Sequence, residues 1–296
     1  MSTSIALYCK SFSTDVKRTR RLAESVQRFN ADGIPFYVSC PRKDMPLFRE
    51  FLSGLPIELV ADEQIVEKNQ KIDRQKLAGL RGGLSQQVIK SEFWRLSVSD
   101  AYACIDSDSM FIRPFYRREF VLDNGTPYTV IDEGHELLDL AITTGRSHVV
   151  RDFMQEAEKF KQLFGRTGRC YSFGPNPPIW HRAVWESLDR QFLTPRNMSF
   201  LDAILLEPID LNWYGEALLR YQAIPLIPCQ PLFKVYHYAW QLDKDRRAGV
   251  KAEDLANLYS GVIHQSAWDR QMDWPREAGS LGSRVARRLK RLFGRI

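Results

Sequence analysis

The sequence predicts an α/β fold in which a mostly parallel central sheet carries helices on its faces. Three observations predict it. Short apolar runs of strand-like composition alternate with longer amphipathic segments over the first hundred residues. The run Ala101-Tyr102-Ala103-Cys104-Ile105 lacks polar alternation, as a strand buried on both faces requires. That run stops abruptly in Asp106-Ser107-Asp108, and ligands of open α/β sheets collect at the carboxyl ends of such strands.

The elements follow in order. Ile5 to Ser11 reads as a first strand, and a helix runs from about Val16 to Asn30 with Thr14 or Asp15 as its cap. Gly33 breaks the chain before a second strand, Ile34 to Ser39. Met45 to Leu52 is a short helix and Ile57 to Val60 a third strand. A charged helix is expected over 62–77, after which Gly79, Gly82 and Gly83 mark a loop. Ser85 to Leu96, with Val88, Ile89, Trp94 and Leu96, predicts the helix that leads into the Asp-Ser-Asp strand. A later helix is expected to open at Glu216 and reach Tyr221.

Were the chain extended through 106–108, both carboxylates would project to one side. Two carboxylates converging there repel each other unless a cation or a shared proton relieves them. A hard divalent ion with oxygen ligands is the natural relief. The chain carries a second copy of the triplet, Asp243-Lys244-Asp245, in a polar stretch where the charges are solvated. Position in the fold separates a chemical pair from a surface one.

Composition narrows the classes. With 296 residues and 44% hydrophobic content the chain can bury a large core, and no stretch approaches the roughly 20 apolar residues of a membrane span. Met1 to Tyr8 has neither a basic region nor a long apolar one, so it reads as a strand rather than a signal peptide. The five cysteines (Cys9, Cys40, Cys104, Cys170, Cys229) are odd in number and form no Cys-x-x-Cys, which predicts no disulfide framework, no zinc knuckle and a cytoplasmic protein.

The net charge of +6 is local. Residues 284–296 hold six Lys or Arg and no acid, so the rest of the chain is formally neutral and no nucleic-acid partner is expected. In this tail Val285, Leu289, Leu292, Phe293 and Ile296 recur at helical spacing opposite the cations, behind Gly279, Gly282 and Ser283. A basic amphipathic helix of that kind is drawn to an anionic membrane surface.

Gly83-Leu84-Ser85-Gln86-Gln87-Val88-Ile89-Lys90-Ser91-Glu92-Phe93-Trp94-Arg95-Leu96, followed by Cys104-Ile105-Asp106-Ser107-Asp108-Ser109-Met110-Phe111-Ile112, resembles bacterial glycosyltransferase-like proteins of the A-type (nucleotide-diphospho-sugar transferase) fold. Gly174-Pro175-Asn176-Pro177-Pro178-Ile179-Trp180, Asn212-Trp213-Tyr214-Gly215-Glu216 and Gly261-Val262-Ile263-His264-Gln265-Ser266-Ala267-Trp268 are similar too, so the resemblance covers about positions 1 to 270. It implies a Rossmann-like sheet and one catalytic domain over 1–275. About 1–115 would bind the nucleotide sugar and 116–275 form the acceptor half, with 276–296 as linker and tail.

The resemblance also implies an activity and roles. The expected reaction is metal-dependent transfer of a sugar from a nucleotide-diphosphate donor to a glycan or lipid-linked glycan, in surface polysaccharide synthesis at the inner face of the plasma membrane. Asp106 and Asp108 would hold Mn²⁺ or Mg²⁺, with a histidine from a late strand completing the shell: His237 is preferred for its strand-like surroundings, and His264 is the second candidate. Ser11, Ser13 and Asp15 occupy the usual place of nucleoside contacts. Lys90 and Arg81 can add positive charge to the diphosphate, and Gln86 shares a helix face with Lys90. Glu216 and Asp202 are the candidate general bases, with Asp132 and Glu133 also in play, and Trp180 is the candidate sugar platform.

Two other readings compete. A non-catalytic module binding membrane surfaces or polyanions would keep the tail and a degenerate metal site. A haloacid dehalogenase-like phosphotransferase would also use an Asp-x-Asp at a strand end, but normally near the N-terminus and with a later adjacent acidic pair; here Met110 stands where Thr or Val is expected.

Overall fold

The computed structural model describes residues 3–175, 177–267 and 272. Asn176, Trp268 and the whole basic tail lie outside the described residues, and with them the expected C-terminal amphipathic helix.

The first half builds the sheet. Strand β1 (Thr3–Lys10) leads through α1 (Val16–Phe29) to β2 (Phe36–Cys40), and α2 (Met45–Phe51) leads on to β3 (Glu58–Ala61). The single charged helix expected over 62–77 is two short ones, α3 (Asp62–Val66) and α4 (Arg74–Ala78). Asn69 interrupts it: its side chain turns inward to Glu92 and accepts from the Lys71 N–H, competing with helical hydrogen bonds. Helix α5 (Gly82–Glu92) takes Gly82 and Gly83 into its first turn, where a loop was expected, and ends in a 3-10 turn before β4 (Ser99–Cys104). The strand order is β3-β2-β1-β4, all parallel. The order reverses direction between β1 and β4, the kind of point at which open sheets bind ligands.

The second half begins with β5 (Ser109–Phe111), β6 (Tyr128–Val130), α6 (His135–Thr143) and α7 (Ser147–Leu163). It then adds β7 (Ile179–His181) antiparallel to β4 as the fifth strand of the main sheet. There follow α8 (Arg182–Leu188), α9 (Phe200–Leu206), α10 (Asp210–Tyr221), β8 (Ile227–Cys229), β9 (Phe233–Tyr236), α11 (Ala239–Arg247), α12 (Ala252–Ala256) and β10 (Gly261–His264). β10 lies between β5, antiparallel, and β9, parallel, in a second small sheet, and β6 pairs with β8.

Period-2 alternation places the core on both faces of the main sheet. Ala6, Tyr8, Tyr102 and Cys104 point to one side, where Val88, Ile89, Trp185, Phe200 and Trp213 pack. Ile5, Leu7, Cys9, Ala101, Ala103 and Ile105 point to the other, against Leu22, Val26 and Phe48. The absence of charged residues from the central runs Ile5–Cys9 and Ala101–Cys104 is thus the consequence of double burial. Among the described residues no helix is long and apolar enough to cross a membrane.

Candidate active site

Two residues beyond the carboxyl end of β4 the chain turns instead of staying extended. The Ser109 N–H donates to the Asp106 carbonyl at 3.0 Å, so residues 106–109 form a tight turn. The chain is therefore not extended here, and the period-2 argument for both carboxylates projecting to one side does not apply. Asp106 continues the parity of Tyr102 and Cys104 and meets α5, where its Oδ1 lies 2.5 Å from Lys90 Nζ. Asp108 meets the end of β10: its carbonyl accepts the His264 N–H at 3.0 Å and its Oδ2 the Ser266 N–H at 2.8 Å.

Lys90 is held from several sides. The Tyr102 hydroxyl donates to its carbonyl at 3.0 Å, tying α5 to the middle of β4. Its side chain is 6% exposed, against 18% for Asp106, so the aspartate is the open side of the pair. Burial alone would lower the pKa of the ammonium; the Asp106 carboxylate first, with Asp210 adding to it, outweighs burial and keeps the group charged.

Beside this pair is a recess of about 200 Å³ whose polar lining is Gln86, Gln87, Lys90, Asp106 and Asp210. It brings together three residues that the sequence singled out and two that it did not. Asp210 is the notable addition. It opens α10 six residues before the position at which sequence reading started that helix. Its N–H donates to Gln87 Oε1 at 2.9 Å, and its Oδ1 accepts the Leu211 N–H at 3.0 Å. Burial pushes its carboxyl up to about 6, with Asp106 adding to the rise and Lys90 opposing it. The signal that could have found it is the Pro208 just upstream, which favours an extended approach and a helix start shortly after.

The other candidates are placed as follows. Ser11 and Asp15 lie past the end of β1, both buried: Ser11 Oγ accepts from the Thr19 hydroxyl at 2.7 Å, and Asp15 pairs with Arg18. Lys10, at the same strand end, pairs with Asp62 at 3.0 Å. Arg81 is exposed at the N-cap of α5. His237 follows β9; burial, and then Lys234, lower its pKa to about 4, which leaves a neutral imidazole. His264 stands at the end of β10 and so adjoins Asp108 through the backbone.

Two expectations, Trp180 and Glu216, meet buried surroundings. Trp180 in β7 is 1% exposed and packs edge-on against Tyr102 and Trp185, so neither ring face is offered to a sugar; this corrects its assignment as a platform. Glu216 is 2% exposed and both its oxygens accept from Arg166, at 2.6 and 2.7 Å. Asp202 caps α9, accepting the Ser199 N–H at 2.9 Å, and reaches Lys76 at 3.5 Å. Asp132 Oδ1 accepts the Gly134 N–H, and Glu133 pairs with Arg169.

Among the described residues no three His, Cys, Asp or Glu side chains form a ready-made metal cluster. The donor set still suits a divalent ion in kind: carboxylates past the end of β4 and histidine side chains at the ends of β9 and β10. Magnesium in particular is often held by one or two carboxylates together with substrate phosphates rather than by an all-protein cage.

The sequence pattern of one protein family, described as a family of unknown function (DUF6492), matches residues 3–222. The chain belongs to that family. A search of curated proteins gave no match. Among solved structures, this DUF6492 member is similar to the ligand-free WbbM bifunctional glycosyltransferase, with a TM-score of 0.51 and 9% identity over 89% of this chain and 46% of that one. It is similar to the galactosyltransferase LgtC in complex with donor and acceptor sugar analogues, with a TM-score of 0.50 and 11% identity over 88% and 86% of the two chains. Mouse xyloside xylosyltransferase 1, in its apo form, gives 0.48 and 8% over 89% and 98%. The chain spans about half of the WbbM chain. At such identities the likeness shows the fold: this DUF6492 member has the A-type glycosyltransferase fold, with a mostly parallel central sheet flanked by helices.

Proposed function

We propose that this protein is a metal-dependent glycosyltransferase that moves a sugar from a nucleotide-diphosphate donor to a glycan or lipid-linked acceptor, in surface polysaccharide synthesis of a bacterial cell. One observation carries the reading. In an A-type fold the carboxyl end of β4 presents Asp106, Lys90, Gln86 and Asp210 around one recess, with Asp108 on the adjoining turn. Donor binding falls to about 1–115 and the acceptor side to 116–275, while the tail at 284–296 holds the enzyme to the anionic inner face of the plasma membrane.

Asp106 and Asp108 would hold Mn²⁺ or Mg²⁺, with His237 or His264 as the nitrogen donor. A bound divalent ion neutralises the charge that grows on the departing diphosphate. Lys90 supplies a second positive charge there, kept ionised and aimed by Asp106. Ser11 and Asp15, at the end of β1, contact the nucleoside, and Arg81 reaches the diphosphate from the start of α5. Of the candidate bases, Glu216 and Asp202 must first leave Arg166 and the α9 cap, so an acceptor-side base requires one of those partners to be displaced.

The test is release of nucleoside diphosphate from UDP-, GDP-, CDP- and dTDP-sugars with Mn²⁺ and a mixture of glycan acceptors. One donor is expected to turn over, and Asp108→Ala to abolish turnover while the protein remains folded. Wild-type turnover that Asp108→Ala leaves intact would refute the assigned metal role.

A further inference from the structure

We propose that the α1–α2 side of this protein docks on an anionic lipid bilayer through cations of the folded body. The inference goes beyond the reading above, because it requires neither sugar transfer nor the basic tail.

Charge is segregated within a body whose total is balanced. Positions 1–283 hold equal numbers of basic and acidic residues, yet 13–53 and 113–119 together hold eleven Lys or Arg against six Asp or Glu. The remainder up to position 283 is therefore acidic on balance. Arg28, Lys43, Arg49, Arg117 and Arg118 are exposed cations of the basic part. Five of its six acids already accept from the protein's own donors. Asp15 pairs with Arg18, Glu24 with Arg20 at 2.8 Å and Glu119 with Arg113 at 2.6 Å. Asp44 accepts the Ser13 N–H at 3.0 Å, and Asp32 the Arg117 N–H at 2.8 Å. None of these bonds uses the side chains of the five exposed cations.

The basic part forms one side of the fold. Helices α1 and α2 pack on the same face of the main sheet, with Leu22, Val26 and Phe48 in one core, and Arg20 Nη1 ties them by donating to the Phe51 carbonyl at 2.8 Å. Segment 113–119 closes on the end of α1 through Asp32 and through the Ala31 N–H, which donates to the Phe115 carbonyl at 3.1 Å. Apolar area lies among the cations. Leu47, Phe51 and Tyr116 are half-buried, Arg28 stands 4.9 Å over the Phe29 ring, and Arg118 stands 4.5 Å over that of Tyr116. Cations beside partly exposed apolar rings match the headgroup layer of an anionic bilayer, with phosphate outside and acyl chain beneath.

The surroundings fit that partner. Strand β10, the last described strand, belongs to this side: its Ile263 shares the core of Leu22 and Val26. It pairs with β5, whose Phe111 N–H donates to Ser25 Oγ of α1 at 3.0 Å. The chain continues from β10 to the basic segment 284–296. The recess is built on α5, which packs on the opposite face of the sheet through Val88 and Ile89, so docking by α1 and α2 leaves it open to a soluble donor.

The experiment measures cosedimentation of the full chain with phosphatidylcholine vesicles containing about 30% phosphatidylserine. One variant combines Arg28→Gln, Lys43→Gln, Arg49→Gln and Arg118→Gln. The control combines Arg74→Gln, Arg151→Gln, Arg190→Gln and Arg220→Gln, which removes the same charge from exposed positions on elements that pack on the other face. The first variant is expected to bind at least tenfold more weakly than wild type, and the control within threefold of it. The gap between them is expected to persist when the six cations of 284–296 are all replaced by glutamine, and wild-type binding to weaken as salt rises. Acetylation of wild type needs no variant to fold: vesicles are expected to protect Lys43 at least threefold more than Lys71 and Lys76.

Equal weakening by both sets, weakening by neither, or an unprotected Lys43 would overturn this inference and leave sugar transfer and the tail's anchoring standing. Binding of duplex DNA that the first set weakens, without binding of vesicles, would assign the surface to nucleic acid and overturn it too. If wild type binds no anionic vesicles, this inference and the tail's anchoring both fall, while nucleoside diphosphate release still judges the transferase.

Discussion

Lys90 and Asp106, sixteen residues apart in sequence, meet with Nζ and Oδ1 2.5 Å apart at the carboxyl end of β4. The contact joins the helix before the strand to the turn after it, and it fixes a buried positive charge at the mouth of the recess. Removing one partner of such a pair leaves the other charge uncompensated. Lys90→Met is therefore predicted to cost about 3 kcal/mol, because Asp106 and Asp210 would then share one small space without a cation. Urea denaturation checks this, and an unchanged midpoint would show that the pair is dispensable.

Asp210 gives the stability curve a specific shape. Its carboxyl is held at about 6 in the folded chain, against roughly 4 in an unfolded one. Between those values the folded state binds more of the proton. The contribution is present in full below about pH 4 and is lost as pH rises through 6. The stability of wild type relative to Asp210→Asn is predicted to fall by about 2 kcal/mol between pH 4 and 7. Melting curves of both proteins over that range decide it, and a flat difference would contradict the burial argument.

Glu216 is predicted to act through Arg166. Both of its oxygens are taken by that guanidinium in a buried site, so Glu216→Ala should cost about 3 kcal/mol. A melting temperature that stays put while the turnover number collapses would instead assign Glu216 to proton transfer.

Gly215, on α10, is fixed by packing. A Cβ built there would stand 2.2 Å from the ring of Phe173. Gly215→Ala is predicted to destabilise by about 1–3 kcal/mol, since the ring must move. Thermal melting measures it, and a variant as stable as wild type would mean that the loop around Phe173 yields freely.

The main sheet was legible in the sequence because double burial leaves a plain mark: the central runs of β1 and β4, Ile5–Cys9 and Ala101–Cys104, carry no charged side chain. Boundaries set by local competition were not, as at Asn69, which splits one expected helix into two. The site was legible as far as strand ends go. Asp106, Lys90 and Gln86 fell together because a helix face and a strand parity each have a period that spacing reveals. Asp210 was missed because it lies 104 positions beyond Asp106, and only the packing of α10 against α5 brings it there. Trp180 was misread because an aromatic in a proline-rich stretch looks the same in sequence whether it faces a cleft or the core. The placement of His264 beside Asp108 depends on the antiparallel register of β10 with β5, which no local pattern encodes.

The central claim is that the end of β4 holds a nucleotide-diphosphate sugar together with a divalent cation. The most direct measurement is a thermal-shift titration of UDP-, GDP-, CDP- and dTDP-sugars, each with Mn²⁺ and with EDTA, on wild type and Asp108→Ala. A ligand that binds only the folded state at one hundred times its dissociation constant stabilises by roughly 2.7 kcal/mol, a rise of several degrees. The account predicts such a rise for one nucleotide class, present with Mn²⁺ and absent with EDTA or in Asp108→Ala. No rise with any nucleotide would contradict it, as would a rise that neither EDTA nor the substitution removes.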